Sequence, residues 1–232
     1  MSAEGHLPAA VIARSDRSTM ASGKRLGGPW SGMIALLGLK AGIVDDMRSS
    51  VRVVHDLVNG IEPWDEVEDQ HRADTLRWLE LTDDVFRRVK PATPDRHLVS
   101  YVVLVDALDG STLLVDHIKS GLWLPPGGHV EPDEHPADTA HREAAEELGI
   151  VPVFAARPPR PLFVTVTRTV GQDRGHLDVS LWFVLSGERG MTLAPDPSEI
   201  REARWWSPAE VLAGDPRRLD PHYGRFAMKA TR

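Results

Sequence analysis

At 232 residues the chain is long enough for one well-buried core and an appended segment, but short for two full-sized domains. Hydrophobic residues at 41% and charged residues at 26% exclude a chain disordered throughout and give no support to a membrane protein. A net charge of −7 argues against a nonspecific grip on DNA or RNA, and the lack of cysteine removes disulfides, thiolate zinc sites and cysteine nucleophiles together, in keeping with a cytoplasmic enzyme.

Residues 1–45 are rich in Ser, Gly, Ala and Arg with little periodicity, and read as a mobile leader that carries no chemistry. The stretch "WSGMIALLGLKAGIV" at 30–44, preceded by Lys24 and Arg25, resembles a secretory signal. Lys40 interrupts it, no clear cleavage site follows, and it falls short of the roughly 18 apolar residues of a spanning helix. Met20, Met33 and Met47 offer later starts.

Residues 46–95 read as a helical extension. Val51, Val54, Leu57 and Val58 recur at helical spacing before Asn59-Gly60 stops the run. Pro63 is expected to open a second helix in which Trp64, Val67, His71 and Trp78 share a face. The segment is more acidic than basic, so it does not suit a DNA reader; packing, or the contact of a homodimer, is the reading it supports.

After "KPATPD" at 90–95 the period changes. Runs at 97–107 and 111–118 are rich in β-branched residues and flank the turn signal Leu108-Asp109-Gly110. Further strands are expected at 162–170, 177–185 and 203–206, and Ser207, Pro208 and Glu210 mark the start of a last helix. Strands around one strong helix indicate a mixed α+β or α/β sandwich over 96–232.

That strong helix starts with Pro136 after His135, a poor N-cap type, and ends at Gly149. Ala137, Ala140, Ala144 and Leu148 form its packing face, while Glu143, Glu146 and Glu147 share the adjoining arc. A solvated acidic face would carry basic partners four residues away. Arg142 and Glu146 are the sole such pair, and Glu143 and Glu147 repel each other by a few tenths of a kcal/mol. Carboxylates gathered in this way suit a hard cation, Mg²⁺ or Mn²⁺, that keeps waters for a phosphate-bearing substrate.

The spacing of Gly128, Glu134, Arg142-Glu143, Glu146-Glu147 and Gly149-Ile150 resembles the signature of the Nudix hydrolases. The seven identities up to Gly149, at fixed spacing, have a chance expectation of roughly 10⁻⁸ per starting point at about 7% per position. Ala144 departs from the larger aliphatic residue that the family prefers there. The resemblance covers about 97–215 and implies an α/β/α sandwich with a mixed sheet, to which the N-terminal helices are an addition. It implies metal ligation by Glu143, Glu146, Glu147 and the Gly127 carbonyl, with Glu134, Arg142 and Gly128 bracing the loop, and Mg²⁺ or Mn²⁺ as cofactor. Glu143 or Glu147 is the first choice for the catalytic base. Some members use a carboxylate from a distant loop, for which Glu199 and Glu202 are candidates.

The implied reaction is hydrolysis of a diphosphate linkage in a nucleoside triphosphate, an oxidised one such as 8-oxo-dGTP included, or in a related nucleoside diphosphate derivative. A proline characteristic of ADP-ribose hydrolases is replaced by Thr165, and the cysteine of isopentenyl diphosphate isomerases is absent. The alternative is a catalytically silent, nucleotide-sensing module of the same family. Candidate substrate contacts are His129, directly after the glycine pair; Trp123, for base stacking; His176, which shares a strand face with Asp178; and Arg225. Tyr223, Arg225 and Lys229 either close over an anionic substrate or dock the terminal segment.

Overall fold

The computed structural model describes residues 49–90, 93–170 and 175–231, so the leader expected over 1–45 lies outside the described residues. In chain order the elements are helix α1 (49–59), α2 (Glu66–Leu81), β1 (Arg96–Asp106), β2 (Thr112–His117), β3 (Trp123–Leu124), β4 (Gly127–His129) and α3 (Pro136–Leu148). There follow β5 (Val153–Phe154), β6 (Phe163–Arg168), β7 (Leu177–Gly187), β8 (Ile200–Trp206), α4 (Pro208–Ala213) and α5 (Tyr223–Ala230).

The β-branched run of β1 forms the spine. It pairs along its whole length with β7 in parallel, from Arg96 opposite Leu177 to Asp106 opposite Gly187. The other ladders among the described strands are antiparallel: β2 and β4 on β1, β3 and β8 on β2, and β5 and β6 on β7. The turn between β1 and β2 works as its sequence suggests. Gly110 takes φ +70°, and the Asp106 and Asp109 carboxylates accept the Leu108 and Ser111 N–H groups at 2.8 Å.

Alternation along β1 divides the core between the two faces of the sheet. Leu98, Val102 and Leu104 pack with Ala140, Ala144 and Leu148 of α3. Val103 faces the other way, onto Trp182, Tyr223 and Phe226, under α4 and α5. The result is the three-layered α/β/α sandwich with a mixed sheet. Val54, Val58, Ile61, Leu79, Val85 and Phe86 are buried in the same cluster as α3, which makes the N-terminal helices part of the core.

Two readings of that segment change. Pro63 stays outside α2, because Asp65 is the N-cap and its carboxylate accepts the Glu68 N–H at 2.8 Å. The buried face is Glu68, Thr75 and Leu79, whereas Val67 is 43% exposed. The face is shifted by one residue because it buries a charge: Glu68 accepts from Lys229 Nζ of α5 at 2.7 Å and from the Trp64 N–H at 2.6 Å. Hydrophobic periodicity is blind to a buried ion pair. α5 itself docks through Tyr223 and Phe226, both fully buried, and at eight residues it is too short to announce its period. No helix among the described residues is long and apolar enough to cross a membrane.

Candidate active site

The local sequence fixes α3 at both ends. His135 serves as N-cap after all, its Nδ1 accepting the Ala137 N–H at 3.1 Å, and Pro136 follows at the first helical position. Gly149 closes the helix in the left-handed region at φ 67°, its N–H bonded to the Ala145 carbonyl at 3.1 Å. A hydrogen bond of 2.8 Å from Ser100 Oγ to the Pro136 carbonyl ties the start of the helix to β1. With Ala140, Ala144 and Leu148 in the core, Glu143 and Glu147 fall at the border, 9% and 5% exposed, and Glu146 points outward.

Arg142 organises the carboxylates. Its Nε and Nη2 each reach a Glu134 oxygen at 3.0 Å in a two-pronged contact, and Nη1 donates to Glu143 at 2.7 Å and to Glu146 at 3.0 Å. Nη2 also reaches the His129 carbonyl at 3.3 Å. Thr139 Oγ1 donates to Glu134 at 2.7 Å. Burial works against the charge on Glu134, but Arg142 and Thr139 outweigh it and hold its carboxyl below the usual range.

The glycine pair of β4 closes over the two buried glutamates. Gly127 sits at φ 151°, where a Cβ would lie 2.2 Å from the Ser100 carbonyl oxygen, and its N–H donates to Glu147 Oε2 at 3.1 Å. A Cβ on Gly128 would lie 2.1 Å from Glu143 Oε1. The glycines therefore let a strand backbone press directly on carboxylates. Burial, with the neighbouring Glu143 second, pushes the Glu147 carboxyl up to about 8. Burial also raises Glu143, against the opposing pull of Arg142. Glu199 adds to both from the turn just before β8, where it accepts from Lys119 at 2.8 Å, whereas Glu202 lies exposed along β8 opposite Asp116. A hard divalent cation fits this donor set, because its charge offsets the burial and, after it, the neighbouring negative charge that raise Glu143 and Glu147.

The sequence-derived substrate candidates separate. Trp123 stands edge-on to Trp206 at 5.3 Å, with the Arg204 guanidinium over both rings. Arg225 is held by Asp65, Nε to Oδ2 at 2.8 Å, and ties α5 to the N-cap of α2. His129 and His176 come together around Asp178 with a residue that sequence reasoning missed, His97. His97 lies near the start of the β-branched strand β1, and the parallel register that sets it opposite Asp178 is not legible before the topology is known. His97 and His176 are buried, and Asp178 is partly buried, its side chain 17% exposed. Burial would raise the Asp178 carboxyl, but the imidazoles of His129 and His97 outweigh it and hold it well below the usual range. Burial in turn lowers His129.

A family model described as the NUDIX domain matches residues 95–228, more than half of the chain. Among curated proteins, an uncharacterized Nudix hydrolase of Rhodococcus erythropolis is 36% identical over 95 residues, covering 38% of this chain and 46% of its own length. The phosphatase NudJ of Escherichia coli K12 is 31% identical over 113 residues, covering 48% of this chain and 69% of its own. The chain thus spans under half of the first relative and about two thirds of the second. Among solved structures, a NUDIX-family hydrolase from Clostridium perfringens covers 58% of this chain and 95% of its own at 21% identity and a TM-score of 0.46. A C. elegans Ap4A hydrolase covers 58% and 94% at 17% identity and a TM-score of 0.48.

Proposed function

The chain belongs to the NUDIX family, and from that premise we propose that it is a divalent-cation-dependent pyrophosphohydrolase. Its substrate is a nucleoside triphosphate, oxidised forms such as 8-oxo-dGTP included, or a related nucleoside diphosphate derivative. The observation that carries this reading is the pair Glu143 and Glu147, buried together beneath β4 with Glu199 adding to their charge. Glu143, Glu146, Glu147 and the Gly127 carbonyl would hold Mg²⁺, or Mn²⁺ in its place. When bound, the ion neutralises the diphosphate and lowers the pKa of water toward neutrality.

The side chains do the rest. Arg142, gripped by Glu134, fixes Glu143 and Glu146 so that their oxygens need no reorganisation when substrate arrives. Glu147 is the base we favour: it is the more deeply buried of the pair, and a bound cation would offset the burial and repulsion that raise its carboxyl, leaving it ionised and able to accept a proton. Glu199 is the second choice, placed within reach of both glutamates' charge. Trp123 is the substrate contact we retain first, since Arg225 is engaged by Asp65 and the two histidines face Asp178.

A panel of nucleoside triphosphates, oxidised nucleotides, ADP-ribose, nucleotide sugars and dinucleoside polyphosphates tests this, with products separated by ion exchange. The expected result is Mg²⁺-dependent turnover of at least one class, abolished by chelation and strongly reduced in a folded Glu146→Gln variant. Tight binding of a nucleotide with no turnover of any class would replace hydrolysis by the nucleotide-sensing reading.

A further inference from the structure

Four side chains from three strands and one turn point their ligand atoms into one small volume. They are His97 of β1, His129 of β4, His176 just before β7, and Asp178 within it, and the four ligand atoms lie within 4.8 Å of one another. His97 Nε2 is 3.0 Å from His129 Nε2 and 3.3 Å from Asp178 Oδ1. Asp178 Oδ1 is also 3.6 Å from His129 Nε2 and 3.3 Å from His176 Nε2. A tetrahedral metal with ligand bonds of about 2.0–2.1 Å has ligand-to-ligand edges of roughly 3.3 Å. Four of the six edges, 3.0–3.6 Å, bracket that value, and the other two lie within 4.8 Å.

Two further details point the same way. His97 Nδ1 is 2.9 Å from the Pro94 carbonyl, and His176 Nδ1 is 3.3 Å from Thr169 Oγ1. Only the protonated Nδ1 can bond that carbonyl, so the neutral His97 ring presents its Nε2 lone pair to the cluster, and backbone or hydroxyl partners of this kind are what fix ligating imidazoles. Asp178 Oδ1 is itself buried, and three ring nitrogens surround it at 3.3, 3.3 and 3.6 Å. A cation at the centre would satisfy all four atoms at once.

We propose that His97, His129, His176 and Asp178 form a second metal site, separate from the α3 carboxylates, for a tetrahedral transition-metal dication with Zn²⁺ as its natural occupant. Three imidazole nitrogens and one carboxylate oxygen suit zinc and discriminate against Mg²⁺, which prefers an oxygen octahedron. With four protein ligands the site is structural. It clamps β4 to β1 and β7 through His129, two residues from the Gly127 that bonds Glu147.

The test uses the full-length chain without a histidine tag, stripped with chelator and reloaded with Co²⁺ or Zn²⁺. One equivalent of Co²⁺ should give the intense visible band of tetrahedral coordination, lost in His97→Gln and His176→Gln but kept in Glu146→Gln. Zinc at a hundredfold excess over its Kd should raise the melting temperature by roughly 5–10 °C. His129→Gln, at the more exposed corner, carries the test if a buried variant fails to fold. No tetrahedral band in the folded chain, or a band that survives loss of the imidazoles and disappears in Glu146→Gln, would overturn the proposal. Because the readout is spectroscopic, its failure is distinct from failure of the hydrolase reading.

Discussion

The two ionisable clusters on either side of β4 are built on opposite principles. The carboxylates Glu143, Glu146 and Glu147 come from one helix; Arg142, which also grips Glu134, holds the first two, and the Gly127 N–H bonds the third. The imidazoles of His97, His129 and His176 come from distant points of the chain and surround a single anion, Asp178. In the first cluster, burial and then neighbouring like charge raise the proton affinity of Glu143 and Glu147. In the second, the groups are complementary, and the carboxylate stays ionised. Oxygen donors under repulsion suit a hard ion exchanged with substrate, and nitrogen donors in a closed set suit an ion that stays.

The contrast can be broken first at Glu147. Glu147→Gln should lower turnover by about 10²–10⁴-fold, the usual contribution of a general acid–base group, with the fold retained; steady-state kinetics per folded molecule checks it. The same residue makes the cation-free fold sensitive to pH. Its carboxyl holds a proton up to about 8 when folded and to 4.5 in a free side chain, so the native state binds more protons between those values and loses stability as pH rises through them. The loss is on the order of a few kcal/mol, with none expected from this group below pH 4.5. Thermal unfolding with chelator present should show the decline, and it should be shallower in Glu147→Gln or with Mg²⁺ added.

A smaller effect is expected at the brace. Glu134→Gln weakens the two-pronged contact with Arg142 and should cost about 1.5–3 kcal/mol, measured by denaturant unfolding. The smallest lies at the edge of the imidazole cluster. Thr169→Val removes the hydroxyl beside His176 Nδ1 and should weaken Zn²⁺ binding about tenfold, by competition against a chromogenic chelator, while leaving Mg²⁺ binding unchanged.

The same contrast explains what could be read in advance. The carboxylates share one helix, so a 3.6-residue period and a few fixed spacings reveal them together with the glycines that press on them. Gly149, the Ser207 capping box and the β1–β2 turn were legible for the same reason, since each is decided within a few residues. His97 was not, because its partner Asp178 lies across a parallel pairing that local pattern does not encode. The face of α2 was misjudged by one residue because Glu68 is buried against Lys229, 161 residues away. The short strands β3 and β5, of two residues each, exist through their ladders alone and leave no period to detect.

The most direct test of the account is Mn²⁺ binding, followed by electron paramagnetic resonance beside turnover in the same samples of wild type, Glu147→Gln and His97→Gln. If the α3 carboxylates hold the working cation, Glu147→Gln loses both the bound Mn²⁺ signal and turnover, while His97→Gln keeps the bound signal. Mn²⁺ binding and turnover both unchanged in a folded Glu147→Gln variant would contradict the assignment of the active site.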